Sequence, residues 1–233
     1  MSVEKSEYFN EGYFSGENPD SPYPKDGRYV NPDHPVVNRK FRDLLAVVRD
    51  QLPAVTSEAL FVLDVGCGPA HTERIWKTIN PRLKVANCDM HPVAGFGASN
   101  LVRADQVALP YTSNTFNVAT SWDVIEHTQE ESAPDFFKEA YRVLDYGGVL
   151  AVRTPNKRTW TDKYRRDISH LWFPTPEGIR RLMADAGFEN IKIGTRGFPG
   201  TALYQKIRPE GDLYLPFGGG IIIATGKKEQ LKP

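Results

Sequence analysis

The chain has 233 residues, enough for one domain with a substantial hydrophobic core. Its 29 basic and 29 acidic residues give a formal net charge of zero, so we expect no general attraction to nucleic acid or acidic membranes. Two cysteines, Cys67 and Cys88, are too few for a disulfide framework or a cysteine-based cluster, and we predict no metal site. Without an apolar span or a signal-peptide core, the sequence predicts a cytoplasmic protein.

The first segment, residues 1–35, is rich in Pro, Gly, Asn and Tyr and is predicted to be an irregular arm with turns. It carries more aromatic residues than a disordered tail usually does. We therefore expect the arm to pack on the body of the protein, where it is a candidate lid. Helical spacing of apolar residues predicts a helix over 36–52, ended by Pro53.

Short apolar runs then alternate with amphipathic segments. Strands are predicted at 59–65, 83–88, 100–104, 117–122, 149–153, 188–195 and 220–225. Helices are predicted at 72–79, at 134–144 with Ser132 as its cap and Gly147-Gly148 as its stop, and at 176–186 with Thr175 as its cap. This alternation predicts an α/β domain over 36–233, with a mostly parallel sheet covered by helices on both faces. Two long connections, 154–174 and 196–219, are the expected places for substrate-specific structure.

The run "FVLDVGCGPAH", residues 61–71, is typical of a nucleotide-binding turn. Gly66 and Gly68 permit a tight turn and a close approach of a ligand, and a helix start follows. A plain strand-to-helix turn explains two glycines equally well. The dinucleotide fingerprint needs a third glycine where this chain has His71. The Asp64 carboxylate would repel a pyrophosphate and suits a ligand with a positive end.

Two further acidic residues lie just after predicted strands. Asp89 ends the second strand, where a carboxylate can accept both hydroxyls of a ribose or, alternatively, serve as a turn residue. This feature fits either kind of nucleotide. Asp105 follows the third strand in "RADQVALPYTSNTFNVA", a segment that a dinucleotide-binding protein does not explain.

Six ordered motifs carry a resemblance from about residue 61 to 189: "VLDVGCGPA", "NCDMHP", "RADQVALPYTSNTFNVA", "DVIEH", "EAYRVLDYGGVLAVRTPN" and "HLWFPTPEGIRRLMADAGFE". The chain resembles the class I S-adenosylmethionine-dependent methyltransferases, the group that includes the ubiquinone and menaquinone biosynthesis methyltransferases with a type 11 domain. The resemblance implies a Rossmann-like sheet of seven strands in the order 3-2-1-4-5-7-6, with the last strand antiparallel. It also implies S-adenosylmethionine as the cofactor.

The resemblance further implies which residues contact that cofactor. The amino-acid end would be held by Asp64 and the backbone of Gly66, Cys67 and Gly68. The adenosine would be held by Asp89 at the ribose, Met90 and Asp105 at the adenine, and Gln106 beside them. The methionine portion near the sulfonium would be bordered by Ser121, Trp122 and Asp123.

Methyl transfer from a sulfonium is an in-line displacement that needs mainly positioning, and a base only when the acceptor holds a proton of high pKa. The candidates for such a base are Glu126 and His127 after the fourth strand and His170 in the long connection. Alternatively, Glu126-His127 only braces the helix that follows. Tyr13, Trp160 and Trp172 are candidate contacts of the acceptor, although aromatic residues more often belong to the core.

The acceptor is predicted to be a small organic molecule, methylated on oxygen, nitrogen or carbon. After the fourth strand the chain reads Ser-Trp-Asp-Val, without the Pro-Pro pair of DNA amino-methylating enzymes, and neither cysteine follows a proline. Two other readings stay open from the sequence: a nicotinamide-dependent oxidoreductase and a non-catalytic S-adenosylmethionine-binding protein. The oligomeric state is not predicted.

Overall fold

The computed structural model describes residues 60–90, 100–158, 167–196 and 220–229. The predicted arm, the predicted helix over 36–52, most of the connection 196–219 and the candidate residues Tyr13 and Trp160 lie outside these residues. Among the described helices, none has the apolar length that crossing a membrane requires.

The elements follow one another closely along the chain. The strands are β1 (Phe61–Val65), β2 (Lys84–Asp89), β3 (Leu101–Arg103), β4 (Phe116–Trp122), β5 (Leu144–Pro155), β6 (Phe188–Arg196) and β7 (Ile221–Lys228). The helices are α1 (His71–Ile79), α2 (Ala133–Val143) and α3 (Pro176–Asp185). Two 3-10 helices, Ile125–His127 and Glu130–Ser132, connect β4 to α2.

In the described part of the chain the strands form one sheet in the order β3-β2-β1-β4-β5-β7-β6. The first five pair in parallel, and β7 runs antiparallel to both β5 and β6. This confirms the predicted fold, strand order and direction of the last strand. The order reverses between β1 and β4, and in open α/β sheets the crevice for a ligand lies at the carboxyl ends of the strands at that point.

The sheet is buried on both faces. In β1, β4 and β5, neighbouring residues point to opposite faces and so enter different cores. The core on one face packs with α2 and α3 and contains Leu63, Ala119 and Leu150. The core on the other face packs with α1 and contains Val62, Val118 and Ala151. Because both faces are covered, the strands read as continuous apolar runs rather than alternating ones. The helices contribute Trp76, Phe136 and Phe137 to these cores.

The transition from α2 to β5 differs from the prediction. The helix ends at Val143 and β5 begins at once with Leu144, five residues before the predicted strand. Gly147 has a φ of 77°, and a Cβ on Gly148 would lie 2.8 Å from the carbonyl oxygen of Asp145. The two glycines therefore do not end the helix. They allow a close backbone approach in β5 beside the irregular pairing with β4.

The helix caps were predicted with mixed success. Ser132 lies at the N-cap position of α2, as predicted, but its dihedrals are helical and its side chain makes no capping hydrogen bond. The second cap is confirmed, since the Thr175 hydroxyl accepts a hydrogen bond from Gly178 N at 3.1 Å.

Lys228 at the end of β7 joins the last strand to the end of α2. Its ammonium donates to Asn114 Oδ1 at 2.7 Å and to the carbonyl oxygens of Tyr141 and Leu144 at 3.0 and 2.9 Å. The last carbonyls of a helix lack partners within the helix. A buried ammonium therefore serves as the cap that no local residue supplies.

Candidate functional site

The turn after β1 has the geometry of a ligand cradle. Gly66 and Gly68 have φ values of 69° and 48°, in the left-handed region. The N–H groups of Gly66 and Cys67 donate to Cys88 O at 2.8 and 3.1 Å, and Gly68 N donates to Asp89 Oδ2 at 2.8 Å. The end of β2 therefore holds the turn in place.

Gly66 also lies against the turn that follows β4. A Cβ on Gly66 would lie 2.4 and 2.5 Å from the two methyl carbons of Val124. Only glycine fits this position, both for its φ and for the space. The turns after β1 and β4 are thus in direct contact at the switch point of the sheet.

Asp64, at the end of β1, is a buried carboxylate with an unsatisfied oxygen. It is 1 % exposed, and its Oδ1 accepts a hydrogen bond from Thr120 Oγ1 at 2.8 Å. Its Oδ2 has no hydrogen-bond partner among the described residues. Burial raises the pKa of Asp64 to about 7, and the negative charges of Asp89 and Glu73 raise it further. Such a group fits a ligand that brings a positively charged donor.

A polar layer beside Asp64 was missed by the sequence reasoning. In the sheet Asp64 is level with Asn87 of β2 and Thr120 of β4. Asn87 Nδ2 donates to Glu73 Oε2 at 2.7 Å, and Lys77 Nζ lies 2.5 Å from Glu73 Oε1. Polar residues inside apolar strands, Asn87 and Thr120, and a glutamate on the buried side of α1, Glu73, could have indicated this layer.

The residues predicted to contact adenosine lie at the ends of β2 and β3. Asp89 is level with Arg103, and Ala104 N donates to Asp89 O at 3.0 Å, which places Asp89 and Asp105 at neighbouring strand ends. Met90 is 37 % exposed and offers apolar surface at this edge. Asp105 Oδ1 accepts from Val107 N at 3.1 Å.

Gln106 connects this edge with the segment after β4. Its Nε2 donates to the Thr128 hydroxyl, and its buried Oε1 has no hydrogen-bond partner among the described residues. An unsatisfied buried amide oxygen is an available acceptor for a ligand donor.

The three residues predicted to border the methionine portion end β4 and enter the next turn. Ser121 is level with Val65, the last residue of β1. The Ser121 hydroxyl and the Trp122 indole nitrogen are buried without a hydrogen-bond partner in the described part of the chain. Asp123 has a φ of 52° and forms an ion pair with Arg153 of β5.

Glu126 is fully buried in the first 3-10 helix. Its Oε2 accepts a hydrogen bond from Thr154 Oγ1 at 3.0 Å, whereas Oε1 has no partner among the described residues. Burial raises the pKa of Glu126 well above its usual range, and the charge of Asp123 acts in the same direction. Its carbonyl oxygen accepts from Leu171 N at 2.8 Å, which brings the end of the long connection against this helix.

The structure brings all three predicted catalytic residues together. The rings of His127 and His170 meet edge to face with centroids 4.8 Å apart. One side-chain nitrogen or oxygen from each of Glu126, His127 and His170 lies within 4.8 Å of the other two. Burial, followed by the nearby His170, lowers the pKa of His127 to about 4, so His127 is neutral at pH 7.

Trp172 lies in the hydrophobic core, where its side chain is 9 % exposed and its Nε1 donates to Ile125 O at 2.7 Å. This placement fits the alternative that Trp172 is a core residue, and a contact with an acceptor stays a prediction.

Both cysteines are buried thiols, and burial raises the pKa of Cys88 to about 12 and that of Cys67 further. Neither is a thiolate nucleophile at neutral pH.

The sheet order and the glycine cradle define a Rossmann-like protein that binds its ligand at the carboxyl edge of the sheet. Comparison with protein families then narrows this class. A methyltransferase domain family matches residues 37–193, more than half of the chain. The chain belongs to this family of S-adenosylmethionine-dependent methyltransferases.

Curated relatives agree with this assignment. A probable S-adenosylmethionine-dependent methyltransferase of Mycobacterium tuberculosis is 25 % identical over 173 residues, 72 % of this chain and 62 % of the relative. The 2-methyl-6-phytyl-1,4-hydroquinone methyltransferase 1 of Oryza sativa is 34 % identical over 113 residues, 48 % of this chain and 32 % of the relative. The chain thus spans less than two thirds of the length of either relative.

Solved structures share the fold. A methyltransferase from Archaeoglobus fulgidus superposes with a TM-score of 0.62 at 17 % identity, covering 83 % of this chain and 98 % of that one. A Haemonchus contortus phosphoethanolamine N-methyltransferase, solved with phosphomonomethylethanolamine and S-adenosylhomocysteine, gives a TM-score of 0.60 at 15 % identity, covering 82 % and 53 %. The family and its curated relatives identify S-adenosylmethionine as the cofactor, and they do not support the nicotinamide-dependent alternative.

Proposed function

We propose that this methyltransferase transfers the methyl group of S-adenosylmethionine to a small organic acceptor. The observation that carries the proposal is the cluster of buried Glu126 with the half-buried His127 and His170, at the edge of the sheet where the methionine portion is predicted to lie. The His170 side chain is only 7 % exposed. A site enclosed to this degree favours a small group over a macromolecular surface as the acceptor.

The residues around the two turns fit the cofactor. Asp64 would attract its ammonium group, since Oδ2 is buried and unsatisfied. The left-handed turn at Gly66 and Gly68 would allow the backbone to approach its amino-acid end closely. Asp89 would accept the ribose hydroxyls, and Met90 and Asp105 would flank the adenine at the ends of β2 and β3.

When bound, the cofactor supplies a methyl group already activated by a sulfonium. The acceptor atom forms a bond to the methyl carbon while the carbon–sulfur bond breaks and its electron pair passes to sulfur. The products are S-adenosylhomocysteine, the methylated acceptor and, if the acceptor atom carried a proton, one proton. The role of the protein is to align the acceptor in line with the breaking bond and to receive that proton.

His127 and His170 are the groups placed to handle this proton. Because burial lowers the pKa of His127, its neutral imidazole retains a lone pair at pH 7. Asp167 lies 3.7 Å from His170 Nε2 and would stabilise positive charge on that ring. One of the two histidines would therefore orient or deprotonate an acceptor hydroxyl or ammonium.

The names of the relatives are consistent with a small acceptor group, but they differ in the atom that receives the methyl group. The hydroquinone methyltransferase of rice is named for a small organic acceptor. A malonyl-[acyl-carrier protein] O-methyltransferase of Enterobacter lignolyticus, 32 % identical over 97 residues, is named for a small group attached to a carrier protein. The structural neighbour from Haemonchus contortus is an N-methyltransferase. Oxygen, nitrogen and carbon acceptors all remain within the proposal.

Titration with S-adenosylhomocysteine and, separately, NADH tests the cofactor pocket in the wild type and in Asp89→Ala. We expect the wild type to bind S-adenosylhomocysteine and not NADH, and Asp89→Ala to bind it more weakly. Asp135→Asn is the matched control, because Asp135 is exposed and pairs only with Lys138 on α2 among its described contacts. Equal affinity in the wild type and Asp89→Ala would contradict the assigned pocket.

A screen of small hydroxylated, carboxylated and amino acceptors with cofactor carrying a labelled methyl group tests the acceptor class. Once an acceptor is found, His127→Ala and His170→Ala should slow turnover while affinity for S-adenosylhomocysteine stays at the wild-type level. A role for both histidines in the reaction is refuted if each variant turns over like the wild type. Labelling of bulk RNA or protein but of no small molecule would refute the small acceptor.

A further inference from the structure

We propose that Glu126, His127 and His170 form a binding site for one divalent transition-metal ion. Two imidazoles and one carboxylate are the protein ligands of many catalytic zinc sites and of mononuclear iron sites, which keep positions open for water or substrate. In this structure the candidate ligand atoms of the three residues lie within 4.8 Å of one another. This inference departs from the expectation, based on sequence, that the protein has no metal site.

The carboxylate of Glu126 is the second, independent observation. It is fully buried, and only Oε2 is satisfied, by the Thr154 hydroxyl at 3.0 Å. Oε1 has no hydrogen-bond partner among the described residues. A buried carboxylate oxygen left without a donor costs free energy, and a cation held between this oxygen and two imidazoles would remove that cost.

The surroundings of His127 fix the tautomer that a metal ligand needs. His127 Nδ1 lies 3.1 Å from the Ser169 carbonyl oxygen and 3.0 Å from the Ser169 hydroxyl oxygen. A carbonyl oxygen can only accept, and the Ser169 hydroxyl donates its own hydrogen to Asp167 Oδ1. The proton of the neutral ring therefore resides on Nδ1, and the lone pair is on Nε2.

His170 has a similar supporting partner. The Asp167 carboxylate lies 3.7 Å from its Nε2 and favours the proton on that nitrogen, which directs the lone pair to Nδ1. Metal-binding histidines commonly donate their second ring N–H to a carboxylate or a backbone carbonyl. Here the Ser169 carbonyl is placed to accept from His127, and the Asp167 carboxylate from His170.

The charges near the cluster also favour a cation. Asp123 and Asp167 both face it, and their negative charges act on His127. Of these carboxylates, Asp123 is paired with Arg153. The negative charge of Asp167 would attract a divalent ion held at the cluster.

The role of such an ion rests on the proposed function. With the ion bound, the ring lone pairs of His127 and His170 serve as ligands, so the ion takes over the role proposed above for the histidines alone. It would bind an oxygen of the acceptor, lower the pKa of an acceptor hydroxyl and orient it toward the methyl group. The acceptor class that this favours is a molecule with a hydroxyl or carboxylate oxygen. Metal binding at this site can be tested without knowing that role.

Direct metal binding tests the inference. The full chain is stripped with a chelator, titrated with Co²⁺ while the visible absorption is followed, and then loaded with Zn²⁺ or Mn²⁺ for elemental analysis. We expect one ion per chain in the wild type and the loss of stoichiometric binding in Glu126→Gln, His127→Ala and His170→Ala. Asp167→Asn should weaken binding by about 10–100-fold, as expected for a partner of a metal ligand. Ser169→Ala keeps the backbone carbonyl that holds His127 Nδ1 and should have a smaller effect.

Asp135→Asn, a carboxylate-to-amide change on an exposed face of α2, should bind the ion like the wild type. Affinity for S-adenosylhomocysteine is measured on every variant, so that a misfolded variant is recognised and replaced by its conservative counterpart, His127→Gln or His170→Gln. A wild type that takes up no ion, or folded ligand variants that bind as it does, would overturn the site. If metal is bound but S-adenosylhomocysteine is not, the proposed function fails instead.

Discussion

At the scale of single residues, Asp64 is the carboxylate that we propose holds the ammonium group of the cofactor. The chain buries this carboxylate near the end of β1, where the Thr120 hydroxyl donates to it. Burial raises the pKa of Asp64 from its ordinary value of 3.8 to about 7. Because the native carboxyl is harder to ionise than the unfolded one, its contribution to stability is present below the unfolded pKa and is lost as the pH rises through about 7.

The same shift predicts how cofactor binding depends on pH. In the proposed pocket the ammonium group of S-adenosylhomocysteine pairs with an ionised Asp64, so binding would release the proton that the free protein holds below about pH 7. We expect the affinity to fall by about tenfold per pH unit below this value and to level off above it. Calorimetric titration across this range measures the effect. In Asp64→Asn the slope should disappear and the affinity should stay low; a slope like that of the wild type would contradict this prediction.

Gly66 permits a second test at this scale. In Gly66→Ala the left-handed φ should cost about 1–2 kcal/mol, and overlap with the Val124 methyl groups should add about 1–3 kcal/mol. Denaturant unfolding and S-adenosylhomocysteine titration should both show the loss.

Two further variants separate the causes of this loss. Val124→Ala combined with Gly66→Ala should restore part of it, since the overlapping methyl groups are removed while the φ is not. Gly178→Ala is the control, because that glycine has no left-handed φ and a Cβ there would lie 3.3 Å from Thr175 Oγ1. A Gly66→Ala protein as stable as the control would show that the turn adapts.

The residues of the site were predictable in part. Asp64, Asp89 and Asp105 stand out as acidic residues at strand ends, and the structure places all three at the carboxyl edge. The pairing of Asn87 with Glu73 was not predictable, because a helix residue and a strand residue meet only through the packing of α1 on the sheet. The supporting contacts of Ser169 with His127 likewise join residues 42 apart and carry no local pattern.

At the scale of elements, β7 is fixed by more than its hydrogen bonds in the sheet. Lys228 caps the end of α2 through the carbonyl oxygens of Tyr141 and Leu144, and its ammonium lies 4.8 Å from the centre of the Tyr141 ring. Replacement by Met keeps the length of the side chain and removes the donors. The helix end and Asn114 Oδ1 would then lose a buried partner.

We therefore expect Lys228→Met to lower the free energy of unfolding by about 1–3 kcal/mol, the usual cost of leaving buried acceptors unsatisfied. Lys227→Met changes the same residue type one position earlier in β7, where the side chain is more exposed, and should change stability little. Urea unfolding of both variants measures the difference. Equal effects would mean that the cap contributes nothing specific.

Most elements could be predicted because their cause is local. Apolar runs gave the strands, and the apolar spacing of α2 and α3 gave the helices with errors of one or two residues at their ends. The start of β5 could not be read in this way. Its first residue, Leu144, pairs with Phe116 across an irregular register, a contact that depends on the neighbouring strand rather than on the glycines nearby.

At the scale of the whole molecule, two cores share one sheet. The strands β1, β4 and β5 each contribute residues to both cores, so neither core can persist when the sheet is lost. Trp76 reports on one core and Trp172 on the other. We expect tryptophan fluorescence and far-ultraviolet circular dichroism to give the same unfolding midpoint, as for a single cooperative domain.

Saturating S-adenosylhomocysteine should raise that common midpoint. A ligand at one hundred times its dissociation constant stabilises the native state by about 2.7 kcal/mol. Two separated transitions, or a shift confined to one probe, would contradict the prediction that one domain extends over the described part of the chain.

The contact between Gly66 and Val124 has a consequence for engineering the enzyme. Val124 belongs to the segment that leads into Glu126 and His127, where a designer would introduce changes to alter the acceptor. Its methyl groups also fill the space in which a side chain at position 66 would stand. Larger residues at 124 should therefore press on the cofactor cradle and weaken donor affinity, so a library aimed at new acceptors should hold this position constant or vary it last.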